Sequence, residues 1–424
     1  MMTKMKKIFK LLVCMVTLLF SSCVLEQPEL FTDSPAGRLN NTIKNDNDSL
    51  QHAVNGWAME YFATTGSAGY TLLVKFDPSG QALIAGKSEL TGNLLVTDSC
   101  LYQMIGDNGP VLTFNSYNKV LHAFSNPENP DGYGLEGDYE FVVLKATSTQ
   151  ILLKGKKRGT MIVMNKIPAT VSWKEYYDNL DAMNAFLFAG STNSLSLVSG
   201  TDTLIATNGS THIFRLTKPG EDPATTGKDV PFIVTNNGLR FQTAYSYNGK
   251  DAQTFVLNAN KQSLECSDNG LNLKIVGQNP ALYFLSNSTF VWNFAFDRPM
   301  GAKFELLYAK LVANCQLKLS EKFSNLYFRY NAVRNSYTLS FKSGKYTGYY
   351  DFNRINIGSN KVKFEYKGTT DINGSFYLEK IDGFNELLQY VGQPFIVSAD
   401  NGLNLSTIKF TSESNSAISF YVFQ

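Results

Sequence analysis

Apolar and polar positions alternate with a period of two along most of this 424-residue chain, and the alternation sets in at Trp57. In Trp57-Ala-Met59-Glu-Tyr61, successive side chains of an extended backbone fall on opposite faces. Tyr70–Phe76 follows as an apolar-rich strand, and Asp77-Pro-Ser-Gly80 ends it with Pro and Gly at the second and fourth positions of a β-turn. Further strands are predicted at Ala82–Ala85, Asn93–Thr97, Leu101–Ile105, Val111–Phe114, Val120–Phe124, Tyr139–Leu144, Gln150–Lys154 and Thr160–Met164. Short strands with turn signals every ~8–12 residues predict an all-β sandwich or barrel instead of alternating βα units. From Trp173 to Phe188 the period lengthens. Trp173, Tyr176, Tyr177, Leu180, Met183 and Phe186 or Leu187 recur at three-to-four spacing, which predicts a helix that caps or bridges two β domains.

After Ser194 the period of two resumes to the C-terminus, with a short helix predicted at Phe384–Tyr390. Asp268-Asn-Gly-Leu-Asn-Leu273 recurs as Asp400-Asn-Gly-Leu-Asn-Leu405, with Asn236-Asn-Gly-Leu-Arg-Phe241 as a variant. Pro231-Phe-Ile-Val234 and Pro394-Phe-Ile-Val397 precede two of these words, offset by 394 − 231 = 163 residues. Asn-Gly between apolar runs is a hairpin signal, because both turn residues need positive φ. The words fit either an internal duplication or convergence on the same turn.

The N-terminus follows another pattern. Lys4, Lys6, Lys7 and Lys10 precede an apolar run from Leu11 to Phe20, and Ser21 and Ser22 lead to Cys23. The run is about half the ~20 residues a spanning helix needs and matches a signal-peptide core. Cys23 is therefore read as the lipid-attachment residue of a bacterial lipoprotein. Residues 1–22 would be the signal peptide and 23–54 a lipidated tether with a short helix, in which Leu39, Ile43 and Leu50 are sparsely spaced. Residues 55–168 would form a β-barrel or meander, 169–190 the connecting helix, and 191–424 a second β-rich domain. The fold class expected is all-β, two antiparallel domains joined by one helix.

Composition narrows the function classes. Nothing in a balance of 38 basic against 36 acidic residues suggests nucleic acid, which would call for a basic face or stripe, and 17% charged with 13% aromatic residues suits an extracytoplasmic β-protein. Beyond Cys14 and Cys23, Cys100, Cys266 and Cys315 permit at most one intrachain disulfide. His52, His122 and His212 form no metal-binding motif, and no nucleophile elbow or phosphate loop occurs. No catalytic residue, metal or cofactor is therefore assigned. Asp138 and Glu140, two apart, would share one face of a sheet, where a solvated strand edge is preferred to a glycosidase pair. Lys154-Gly-Lys-Lys-Arg158-Gly159 has the form of a hairpin tip. Tyr133, in the Pro/Gly-rich stretch Ser125–Gly137, is the candidate ligand contact.

Several segments in order resemble a family of Bacteroidota surface lipoproteins of unknown function. They are Asn55-Gly-Trp-Ala-Met-Glu-Tyr61, Gly69-Tyr-Thr-Leu-Leu-Val-Lys-Phe76, Gly109-Pro-Val-Leu-Thr-Phe114 with Tyr117, Val120, Leu121 and His122, Gly137-Asp-Tyr-Glu-Phe141, and Leu152-Leu-Lys-Gly-Lys-Lys-Arg-Gly159. The resemblance runs from about Phe31 to Ile167. It implies an outer-membrane lipoprotein facing the cell exterior, encoded near TonB-dependent transporters, and supplies no catalytic residues. A Trp opening a strand before an antiparallel meander is also lipocalin-like. The expected function is non-enzymatic binding or accessory work in nutrient acquisition. The partners would be the membrane through its lipid, a transporter complex, and a small-molecule, glycan or peptide ligand. A glycan-directed surface hydrolase and a structural or adhesive lipoprotein are the alternatives.

Overall fold

The structure is a computed structural model that describes residues 33–127, 134–188, 195–207, 209–247, 249–268, 270–286, 289–358, 360–369 and 371–424. Its strands close into three successive eight-stranded antiparallel barrels, spanning 57–166, 195–277 and 291–423. In each barrel every strand pairs with its neighbour in sequence, and the first pairs with the last through Trp57↔Lys166, Leu197↔Ile275 or Phe294↔Val422. The helices that matter below are α1 (Pro35–Gln51), α2 (Leu121–Ser125), α3 (Trp173–Phe188), α4 (Pro280–Ser286), α5 (Ala302–Leu319), α6 (Ile372–Lys380) and α7 (Phe384–Val391). α1, α3 and α4 each lead into the first strand of a barrel, so one unit, a helix followed by eight strands, occurs three times.

Eight-stranded barrels are just wide enough for side chains to fill them, and all three have apolar cores. Trp57, Tyr61, Phe76, Phe114 and Phe141 pack inside the first, Phe214, Phe232, Phe241 and Phe255 inside the second, and Trp292, Phe328, Phe364 and Phe410 inside the third. An apolar interior is the reverse of the polar lumen of a membrane-spanning barrel. Trp57 is fully buried, and its indole N–H donates to the Leu50 carbonyl at 2.9 Å, tying α1 to the barrel end.

The all-β class with several β domains and the helices at 173–188 and 384–391 are as the sequence predicts. Residues 191–424, expected to form one domain, instead contain two barrels. Lys274–Gly277 pairs back onto Leu195–Ser199, which closes the second sheet and leaves no edge for a ninth strand. Val120–Phe124, read as a strand, lies mostly in α2. The Asn118 side chain accepts the Val120 and Leu121 N–H groups, both at 2.9 Å, and turns the chain, so that Val120, Leu121 and Phe124 are buried at helical spacing. The two strands predicted between Asn93 and Ile105 are one, Val96–Gly106, entered from Asn93 at φ 59°.

The repeated words all link neighbouring strands, but at non-equivalent places. Asn236–Phe241 joins the fourth and fifth strands of the second barrel and Asp268–Leu273 its seventh and eighth, whereas Asp400–Leu405 joins the sixth and seventh of the third. The 163-residue offset therefore reflects shared turn chemistry, while the repeat lies in the architecture.

The barrels are docked together by side chains. Both faces of Trp57–Phe62 are buried: Ala58 packs under Tyr177 and Leu180 of α3, and Glu60 meets Arg240 of the second barrel at 2.7 Å. Gln242 donates to the Thr64 carbonyl and accepts from Gly66 N, each at 2.8 Å. At the next junction the 400–405 turn enters the second barrel's core through Leu403. Gly402 O lies 1.9 Å from where a β-carbon on Gly277 would sit, so only glycine allows this approach.

Candidate functional site

α3 forms one wall of a cleft of about 490 Å3 between the first and second barrels. Its sequence period puts Tyr177 and Leu180 on the first barrel while Asp181 and Asn184 border the cleft. Trp173 anchors the start of the helix by donating to Asn55 O at 2.7 Å, and the Tyr177 hydroxyl lies 2.6 Å from Thr71 O. The opposite walls come from the second strand of the first barrel, through Gly69 and Tyr70, and from Ile233 and Val234 of the second.

The cleft carries both signs of charge and several neutral hydrogen-bonding groups. Lys87 Nζ lies 2.7 Å from Asp181 Oδ2, with both side chains partly exposed. The Tyr70 hydroxyl donates to Glu89, and burial pushes its pKa up, so it remains a neutral phenol. His212 adopts φ 57°, with Nε2 2.9 Å from Asn184 Oδ1 and Nδ1 3.3 Å from Gly69 O. Its ring leans on Phe232 and Phe188, and burial holds the imidazole below its ordinary pKa. A neutral imidazole carries one N–H, so it donates to one of these two oxygens, and a ring held in this way suits an orienting group better than a proton shuttle. The arrangement can hold a small polar molecule between donors and acceptors above an apolar floor.

Cys23 and Tyr133 lie outside the described residues. Asp138 and Glu140 do not converge on a cleft: the buried Asp138 carboxylate accepts Lys157 N and Arg158 N, both at 2.8 Å, while Glu140 faces Lys156 at 3.4 Å. The basic run turns a hairpin in which Lys156 also meets Asp107 at 2.9 Å and Arg158 pairs with Glu136. Cys100, Cys266 and Cys315 are free thiols. Among the described residues no three His, Cys, Asp or Glu side chains are grouped to hold a metal ion, and no helix is long and apolar enough to cross a membrane. The cleft itself was not predicted. Its polar groups come from stretches near residues 70–89, 181–184 and 212, and no spacing in the sequence joins them.

A chain of tandem up-and-down β-barrels with a ligand-sized cleft at the first junction defines a class of architecture, not an activity. The chain belongs to the DUF4302 family, described as a domain of unknown function, whose model matches residues 27–259. That span includes the first barrel, α3 and every residue lining the cleft. A comparison with curated proteins finds no match. Among solved structures, the β subunit of DNA polymerase from Streptococcus pyogenes aligns at 10% identity over 91% of this chain and 97% of that one, with a TM-score of 0.14. A tryptophan-to-alanine mutant of the vaccine antigen transferrin binding protein B from Haemophilus parasuis Hp5 aligns at 9% identity over 84% of this chain and 65% of that one, with a TM-score of 0.12. At such scores neither likeness bears on fold or function.

Proposed function

We propose that this is a lipid-anchored cell-surface protein that binds a small polar ligand in the cleft between its first two barrels without transforming it. The observation that carries the reading is the cleft itself. The barrel interiors are filled with aromatic and aliphatic side chains, whereas the junction leaves about 490 Å3 bordered by Lys87, Asp181, Tyr70, Glu89, Asn184 and His212 on rigid walls. The signal ending at Cys23 supports the anchor, and the resemblance to lipoproteins encoded beside TonB-dependent transporters supports an accessory role in nutrient uptake.

The test is a thermal-shift screen of the full chain, kept in a polyoxyethylene detergent, against amino acids, nucleosides, organic acids and monosaccharides. A ligand at 100 times its dissociation constant adds about 2.7 kcal/mol of stability. The expected result is a shift with at least one class that Lys87→Ala and Asp181→Ala diminish without lowering the ligand-free midpoint. No shift with any class refutes the reading and favours a structural or adhesive lipoprotein, to which filled barrels are also suited. Palmitate labelling of cells tests the anchor: label should enter the wild-type chain and be absent from Cys23→Ser.

A further inference from the structure

A second concavity, of about 550 Å3, lies on the outer wall of the first barrel and shares no residue with the cleft. Three rings in mutual contact line it. His122 lies 5.5 Å from Tyr117 and 4.9 Å from Tyr139, centroid to centroid, with interplanar angles of 37° and 30°. The two tyrosines are 62% and 43% exposed, which is unusual for aromatic residues fixed by neighbours.

The imidazole is firmly held. Its Nδ1 accepts the Asn118 N–H at 3.1 Å, the Phe114 backbone holds it as well, and Asn118 is itself fully buried, its side chain accepting the Val120 and Leu121 N–H groups. Burial keeps His122 below its ordinary pKa, so the three-ring group is uncharged near neutral pH. Beside them runs a polar fence on the barrel wall. Asn115 Nδ2 donates to Gln103 Oε1 at 3.2 Å, and Thr113 Oγ1 lies 3.0 Å from Asn115 Oδ1 and 3.3 Å from Glu140 Oε1.

We propose that this shelf is a binding site for a neutral hexose-based glycan. A pyranose ring has a C–H-rich face and a rim of hydroxyls that both donate and accept. Tyr117 and Tyr139 offer flat, pre-ordered apolar surfaces with polar tips for the first. Asn115 and Glu140 in the lining offer fixed amide and carboxylate groups for the second, held by the hydrogen bonds to Gln103 behind Asn115 and to Thr113 between them. Glu140 is paired with Lys156 at 3.4 Å and His122 is neutral, so the lining presents no uncompensated charge, which is why the ligand class is neutral.

The experiment uses the full chain in a polyoxyethylene detergent, which carries no sugar headgroup, and immobilised cellohexaose, maltohexaose, mannohexaose and xylohexaose as probes. The xylan probe is a pentose control. Expected is saturable binding of at least one hexose oligomer, with affinity lowered at least tenfold by Tyr117→Ala and by Tyr139→Ala. Tyr117→Phe should retain it, since the ring face is the contact. Lys87→Ala in the cleft should leave it unchanged, so failure of the shelf and failure of the cleft are separately visible. Thermal unfolding of Tyr117→Ala should match the wild type, because that ring is mostly solvent-exposed. No binding of any hexose oligomer at millimolar concentration overturns the proposal, and so does binding that survives both alanine substitutions.

Discussion

Replacing Arg240 by alanine should loosen the junction of the first two barrels in a pH-dependent way. Arg240 Nη1 meets Glu60 Oε2 at 2.7 Å, and the two side chains are only 22% and 11% exposed. Exposed ion pairs contribute about 0–1 kcal/mol, whereas removing one partner of a buried pair costs about 3–5 kcal/mol because the other charge is stranded. Glu60 keeps one further partner, Asn165 Nδ2 at 3.0 Å, which places Arg240→Ala near the lower end, about 3 kcal/mol. Burial already raises the Glu60 carboxyl above the usual carboxylate range, with Arg240 opposing that rise. Without the guanidinium the folded-state pKa climbs further. Between the unfolded and folded values the folded chain keeps a proton that the unfolded chain has released, so stability falls as pH rises through that window. The loss should therefore be largest near pH 8 and shrink as the carboxyl is protonated toward pH 5. Hydrogen exchange followed by mass spectrometry reads this locally. Since 1.4 kcal/mol is tenfold, amides of Trp57–Phe62 and Gly238–Tyr247 should exchange about a hundredfold faster at pH 8, after correction for intrinsic rates. The double substitution Glu60→Gln with Arg240→Met should recover more than half of the protection and lose its pH dependence. Unchanged exchange in Arg240→Ala, or an equal effect at pH 5.5 and pH 8, refutes the reasoning.

Other substitutions probe the remaining contacts. Trp57→Phe removes the donor to Leu50 O and leaves a buried carbonyl unpaired, for about 1–3 kcal/mol, and exchange in α1 should quicken more than in the third barrel. Gly277→Ala places a carbon 1.9 Å from Gly402 O, so the third barrel should separate and the 278–290 segment become sensitive to limited proteolysis while circular dichroism keeps its β signal. Burial pushes the Cys100 thiol up to about 11, and Cys315 is also buried and raised, so iodoacetamide at pH 8 should modify the more accessible Cys266 first and the other two only in urea.

What the sequence revealed was local. The period of two from Trp57, the Asn-Gly turns and the α3 stripe are readable because each depends on a few adjacent residues. Closure is different: nothing in Lys274–Gly277 announces that it pairs with Leu195–Ser199, so the boundary between second and third barrels was invisible. α2 is ambiguous in sequence because Val120, Leu121 and Phe124 fit a short apolar strand as well as a helix, and what turns the chain is the Asn118 side chain accepting the Val120 and Leu121 N–H groups. α5 is hidden in the sequence because Leu306 and Leu317 are apolar yet 72% and 81% exposed, which blurs the stripe formed by Phe304, Leu307, Leu311 and Cys315. The cleft depends on how two closed barrels meet, and the polar residues lining it look in sequence like ordinary surface positions.

The junctions also bear on which part of the chain acts as a unit. The family match ends at residue 259, before the second barrel's last two strands, Ser263–Cys266 and Lys274–Gly277. Without those strands the second barrel has open edges and Leu195–Ser199 lacks its closing partner. The closing strand ends at Gly277, against which Gly402 of the third barrel packs. The third barrel reaches further still. A helix C-terminus leaves carbonyls without intrahelical donors, and in α3 the Phe186 carbonyl receives the Asn401 side-chain N–H at 2.6 Å. Within the preceding turn and a half the same helix presents Asp181 and Asn184 to the cleft. α3 is thus fixed at its start by Asn55 and the first barrel, through Asn184 by His212 of the second, and at its end by the third. The cleft wall is positioned by all three barrels, including the one beyond the family match, so the structural unit that holds the cleft is the whole described chain.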